Sequence, residues 1–157
     1  MPRKIGTCLW FENQAEEAAT FYISVFDDSR ILDISRFGEE APGPAGEAIA
    51  VDFELEGRSF TALNGARTSG FTEAVSFVVD CEDQAAVDRY WAALTDGGTE
   101  SQCGWLRDRY GVSWQIVPAI LPSLIAGPDP QGSQRAMQAM LGMRKLDIAE
   151  LQKAYDG

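Results

Sequence analysis

At 157 residues, 45% hydrophobic and 24% charged, the chain can form one domain of ordinary size or two small, closely packed halves, and its composition excludes wholesale disorder. With 13 Lys and Arg against 24 Asp and Glu, its net charge of −11 repels phosphate backbones and anionic membrane surfaces, so neither nucleic acid nor membrane is expected as a partner. It contains no histidine, which removes the commonest metal ligand and the commonest general base near neutral pH.

Residues 7–11 read as a strand, and Asn13 with Glu16 has the spacing of a capping box. Ala15, Ala18, Ala19, Tyr22 and Phe26 then recur at helical period, which predicts a helix burying one face. Residues 31–37 alternate like a half-buried strand, and the Gly- and Pro-rich segment 38–47 suits an irregular connection. Two more strands follow at 49–55 and 59–63, joined by the turn Glu56-Gly57-Arg58.

The second half repeats this order. A strand is expected at 74–80, and Asp83 is placed to cap a helix that sets Val87, Tyr90, Trp91 and Leu94 on one face. Gly97-Gly98 ends it, and three short strands fit at 100–102, 105–108 and 112–117. Tyr22 and Tyr90 occupy matching places in the two helices, 68 residues apart. Beyond Pro118, three further prolines punctuate a linker before two amphipathic segments. Ala136, Met137, Met140 and Leu141 mark the first; Ile148, Leu151 and Tyr155 mark the second, with Asp147 and Glu150 at capping-box spacing. Such a tail can cover its own sheet or dock on a second subunit.

No apolar run approaches the ~18 residues of a membrane helix, and residues 1–10 lack the apolar core of a signal peptide, so the expected location is the cytoplasm. Cys8, Cys81 and Cys103 are an odd number without clustered spacing and read as reduced thiols.

The segments LWFENQAEEAATFYISVF, ALNG (62–65), SFVVDCEDQAAVDRYWAAL and SQCGWLRDRYGVSWQIVP (101–118) together resemble the vicinal oxygen chelate superfamily, which includes glyoxalase I, bleomycin-resistance proteins and extradiol dioxygenases. Within it the chain is similar to PhnB-like proteins, the group described as 3-demethylubiquinone-9 3-methyltransferase-like. The resemblance covers roughly residues 5–121 and implies an α+β fold: duplicated βαβββ units forming a glyoxalase-like paired-cup sheet, followed by C-terminal helices. It implies a domain over 5–121, with halves at 5–65 and 72–121, and a linker and helical tail over 122–157. Superfamily members commonly pair subunits, so a homodimer is expected.

Metal-dependent members place ligands on the first and last strand of each unit. Here those places fall near Gly6 or Thr7, at Phe60 to Ala62, at Ala74 and at Gln115, a set in which only the Gln115 amide is a conceivable ligand. No metal and no cofactor are therefore expected.

The candidate ligand-binding residues are Thr7, Asn64, Cys103, Trp105 and Gln115, with no catalytic residue assigned. Gln115 can hydrogen-bond a ligand or be a buried amide satisfied by backbone. Cys103, near Arg107 and Arg109, has the setting of an activated thiol but no histidine base, and a core thiol is the simpler reading. Trp105 is open as a wall of the site, while strand alternation sends Trp114 toward the helices. Asn64-Gly65 reads first as a turn.

Three functions follow: binding of or action on a small organic molecule without a metal; the methyl transfer of the family description, for which no glycine-rich loop in an alternating parallel sheet is present; and a non-catalytic dimeric structural protein.

Overall fold

Period-two and period-3.6 hydrophobic patterns alternate along the chain, and a computed structural model, which describes residues 5–157, follows them. The first repeat supplies β1 (Thr7–Phe11), α1 (Ala15–Val25), β2 (Ser29–Arg36), β3 (Ala48–Leu55) and β4 (Arg58–Asn64). The second supplies β5 (Phe77–Cys81), α2 (Gln84–Thr95), β6 (Thr99–Glu100), β7 (Trp105–Arg107) and β8 (Ser113–Pro118). The tail forms α3 (Leu121–Ile125), α4 (Pro130–Leu141) and α5 (Ile148–Asp156). The predicted α+β class, with two βαβββ units and C-terminal helices, is borne out.

The chain divides into two compact units between Gly70 and Phe71. In the first, a four-stranded sheet has the order β1-β4-β3-β2; in the second, β5-β8-β7-β6. In each, the first strand pairs in parallel with the last and the remaining pairs are antiparallel. The helix between the first two strands makes the parallel pairing possible, because a parallel partner needs a long crossover.

In the first unit α1 buries Ala15, Ala18, Ala19 and Tyr22. The Tyr22 ring stacks on Phe53 with centroids 6.3 Å apart, and Phe53 stacks on Phe60 at 5.3 Å. Small alanines let the helix approach the sheet while the aromatics fill the space between. In the second unit α2 buries Val87, Tyr90, Trp91 and Leu94, and Phe77, Leu106, Trp114 and Ile116 are buried in the sheet.

Several local predictions change. The Asn13–Glu16 box does not form: α1 is preceded by Gln14, which makes no side-chain capping bond. Instead the Asn64 Oδ1, arriving from the end of β4, accepts the Ala15 N–H at 2.8 Å. The strand expected from residue 74 begins at Phe77, because the Thr72 hydroxyl and carbonyl accept from Ala74 and Val75 and curl that segment into a turn. The Asp83 and Asp147 caps form, accepting from Ala86 and Glu150.

The expected linker after Pro118 contains a short helix, α3, where Pro122 occupies the first turn, a position that needs no N–H. In α4 the buried residues are Gly132, Ser133 and Ala136, while Leu141, expected on the packed face, is exposed. Gly132 is needed there because a Cβ would lie 2.7 Å from the Tyr155 carbonyl oxygen. The tail has its own core of Leu121, Leu124, Ala136, Leu146 and Leu151. It is fastened to α2 of the same unit at Gln84, whose Nε2 donates to the Leu146 carbonyl and whose Oε1 accepts the Ile148 N–H.

Candidate functional site

Strand alternation gives each sheet a face toward its helix and a face away from it. In the second unit Phe77, Trp114, Ile116 and Leu106 occupy the buried face. Trp105, Arg107, Ser113, Gln115 and Val78 therefore occupy the other. Thr99, Arg107 and Ser113 form one rung across β6, β7 and β8; Trp105 and Gln115 form the next. Trp105, Arg107, Ser113 and Thr99, with Glu73, Glu100, Ser101 and Leu106, line a hollow of about 270 Å³.

The Gln115 Nε2 donates to the Ser76 Oγ at 2.9 Å, so the residue beside it at the start of β5 is Ser76 rather than Ala74. The amide oxygen has no hydrogen bond of this kind, and Trp105 is the partner of Gln115 across the ladder. Glu100, on the rim, is already engaged: its Oε1 accepts the Trp91 indole N–H at 2.9 Å, and its Oε2 lies 3.6 Å from Arg144.

Asp108, which sequence reasoning passed over, sets the hairpin carrying this face. It is 3% exposed, its Oδ1 accepts the N–H groups of Tyr110 and Val112, and its Oδ2 accepts the Trp114 indole N–H at 2.8 Å. A carboxylate in the middle of an Arg-Asp-Arg-Tyr-Gly turn looks like a solvated turn residue. Only the fold brings the indole of Trp114 to it.

Cys103 does not share the hollow. It sits at φ +59° in the loop before β7, and its N–H donates to the Met143 carbonyl while that of Gly104 donates to the Arg144 carbonyl. The loop presenting Trp105 is thus held by the tail. Gly104, at φ +82°, has no room for a side chain: a Cβ would lie 2.8 Å from the Ile116 carbonyl oxygen.

Thr7 and Asn64 belong to the first unit and to its other face. Thr7 pairs with Phe60 and Asn64 with Phe11, both aromatics buried on the side of α1. The Thr7 Oγ1 accepts from Arg58 at 3.4 Å. The Asn64 amide is engaged at both ends, since its Nδ2 also donates to the Ala48 carbonyl at 2.9 Å. Thr7 is a place implied by the resemblance and Asn64 reads first as a turn residue; a one-residue step along a strand changes the face. The residues of β1 and β4 on the face away from α1 are Cys8, Trp10, Ser59, Thr61 and Leu63. There the Thr61 hydroxyl donates to Asp52 at 2.6 Å, and burial followed by the Asp52 charge pushes the Cys8 thiol pKa up.

Cys81 is buried, and desolvation, then the neighbouring Asp80 charge, raises its thiol to about 11. It is no nucleophile at neutral pH.

The metal chemistry that the sequence resemblance implies does not fit this donor set. Thr7, Phe60 and Ala62 lie on the helix side of their sheet, Ala74 lies in a turn, and Gln115 contributes a neutral amide already bonded to Ser76. Among the described residues no three His, Cys, Asp or Glu side chains are grouped to hold an ion. No described helix is long and apolar enough to cross a membrane.

Residues 3–117 match the model of the family described as 3-demethylubiquinone-9 3-methyltransferase. Among solved structures, the PhnB protein from Bacillus cereus is 39% identical, with 74% of this chain matching 100% of that one at a TM-score of 0.70. A protein from Pseudomonas aeruginosa is 20% identical over 74% of this chain and 98% of its own, with a TM-score of 0.62. The fosfomycin resistance protein FosX from Mesorhizobium loti is 12% identical over 74% and 91%, with a TM-score of 0.52. The last two are likenesses of fold alone. Comparison with curated proteins returned no match.

Proposed function

This chain belongs to the 3-demethylubiquinone-9 3-methyltransferase family, and from that premise we propose that it binds a small organic molecule, without a metal, on the helix-free face of its second sheet. The observation that carries this reading is the hollow lined by Thr99, Arg107 and Ser113 of one rung and Trp105 of the next, with Gln115 paired to Trp105 in the ladder. It joins an aromatic wall to a guanidinium, hydroxyls and an adjacent amide, the mixture by which small-molecule sites combine apolar contact with a few orienting polar groups. Of the five candidates, Trp105 and Gln115 are the ligand contacts in this reading. Cys103 positions the loop, and Thr7 and Asn64 serve the first unit.

The family description names a methyl transfer. The topology supports binding instead, because both sheets are mixed and neither has the alternating parallel strands with a glycine-rich first loop that cradle such cofactors. Three unpaired cysteines favour action in the reducing cytoplasm. Exposed Trp10 and Val78, on the helix-free faces of their sheets, favour a homodimer.

The test is titration of the ¹⁵N-labelled chain with benzamide, a neutral planar probe. Amide shifts should move at Trp105, Arg107, Ser113 and Gln115, and replacement of Trp105 by Ala should weaken the response. Shifts confined to other surfaces would refute the site.

A further inference from the structure

Resting on that reading of the hollow, we propose that its ligand is a small zwitterion: an amino-carboxylate with a planar, unsaturated side chain, its carboxylate on Arg107 and its ammonium on Glu73. The hollow is lined by three charged side chains, Glu73, Glu100 and Arg107. Glu100 is turned to the Trp91 indole and to Arg144. Arg107 and Glu73 stand differently: among the described residues neither side chain has a hydrogen-bond or ion-pair partner, and they do not pair with each other. A ligand in the hollow therefore meets one positive and one negative side chain that no described residue has paired.

A simple anion would pair with Arg107 but face Glu73, and a simple cation would meet the reverse. Only a ligand with both charges leaves neither group opposed. A zwitterion also carries no net charge, so the field of a chain at −11 does not repel it as it would an anion.

The positions suit the parts. The planar guanidinium fork of Arg107 matches a carboxylate in two parallel hydrogen bonds, and Ser113, its partner across the ladder, brings a hydroxyl to the same place. Trp105, two residues before Arg107 on β7, projects from the same face about 7 Å away and offers an aromatic surface to a flat side chain. Glu73 is fixed in the turn that Thr72 closes with its hydroxyl and carbonyl. The hollow of about 270 Å³ falls just under the ~300–1,000 Å³ of pockets for drug-sized ligands, which suits a small one.

The experiment is NMR titration of the full chain with L-phenylalanine, 3-phenylpropanoate (no ammonium), 2-phenylethylamine (no carboxylate) and neutral benzamide. Phenylalanine should bind about five- to tenfold more tightly than either singly charged analogue, as expected for charged contacts on a half-open surface. Arg107→Gln should abolish its advantage over 2-phenylethylamine while keeping that over 3-phenylpropanoate, and Glu73→Gln should do the converse. Unchanged shifts of α2 and of the tail core around Leu146 and Leu151, in the same unit, would establish that both variants fold. Equal affinities for all probes, preference for a singly charged analogue, or variants that weaken every probe alike would overturn the proposal. If benzamide moves Trp105 and Gln115 without any preference for phenylalanine, the zwitterion fails and the binding surface stands; if no probe moves that face, both fail.

Discussion

Replacing Asp108 should reveal how much of the second unit rests on one buried carboxylate. Its Oδ1 accepts two backbone N–H groups and its Oδ2 the Trp114 indole, at 2.8 to 3.0 Å. Asp108→Ala leaves at least the Val112 N–H and the Trp114 Nε1–H without partners where water has little access, at about 1–3 kcal/mol each. The expected loss is about 3–5 kcal/mol, a large part of the ~5–15 kcal/mol that holds a typical domain folded. Asp108→Asn keeps one acceptor for the two backbone groups but turns an NH₂ toward the indole N–H, so its loss should be about 2–3 kcal/mol.

Urea unfolding followed by tryptophan fluorescence and near-UV circular dichroism measures both, with the m-value checked for constancy. A Trp114→Phe change removes the indole donor, so in the Asp108→Asn background the two losses should sum to less than their separate values. An Asp108→Ala chain within about 1 kcal/mol of the parent would refute the assignment, since a buried carboxylate with three donors cannot be so cheaply removed.

Asn64→Ala should destabilise the first unit by about 2 kcal/mol through loss of the Ala15 cap and the Ala48 bond, read as a fall in the urea midpoint. Gly104→Ala places a Cβ against the Ile116 carbonyl at positive φ and should cost about 2–3 kcal/mol, with faster amide exchange at Ile116, whose N–H donates to the Gly104 carbonyl. Because the folded state holds the Cys81 proton more tightly, 9.0 rising to about 11, this group's contribution is whole below pH 9 and is lost as pH climbs to about 11. Thermal melts of a Cys81→Ala chain against the parent across pH 8 to 11 should show the parent falling more steeply; parallel curves would contradict it.

The repeat in the sequence made the fold legible because it depends on local periodicity. The helical spacing of Ala15, Ala18, Ala19 and Tyr22, and of Val87, Tyr90, Trp91 and Leu94, survives in the structure, while Phe26, read as part of the first helix, is its extended cap. The site was legible in part. Alternation from Gln115 rightly put Trp114 and Ile116 on the buried face and Ser113 on the other. It did not extend to Arg107, whose place beside Ser113 depends on the β7–β8 register, nor to Glu73, whose place depends on the Thr72 turn. Asn13 looked like a cap by spacing, but the oxygen that bonds Ala15 belongs to Asn64, 49 residues along the chain.

The sequence by itself determined the two repeats and the order of their elements, the absence of histidine chemistry and the family, because these rest on residue identity and on patterns a few residues long. The tertiary structure decided which face each candidate occupies and which polar groups are already spent. Asn64 lies at a strand end, Asp108 in a turn and Gln115 within β8; the fold occupies both ends of the Asn64 amide, one end of the Gln115 amide and both oxygens of Asp108. Hydrogen bonds between distant segments consume donors and acceptors that a linear reading counts as available, and that is why Arg107 and Glu73, unremarkable in the chain, are what the hollow leaves to a ligand.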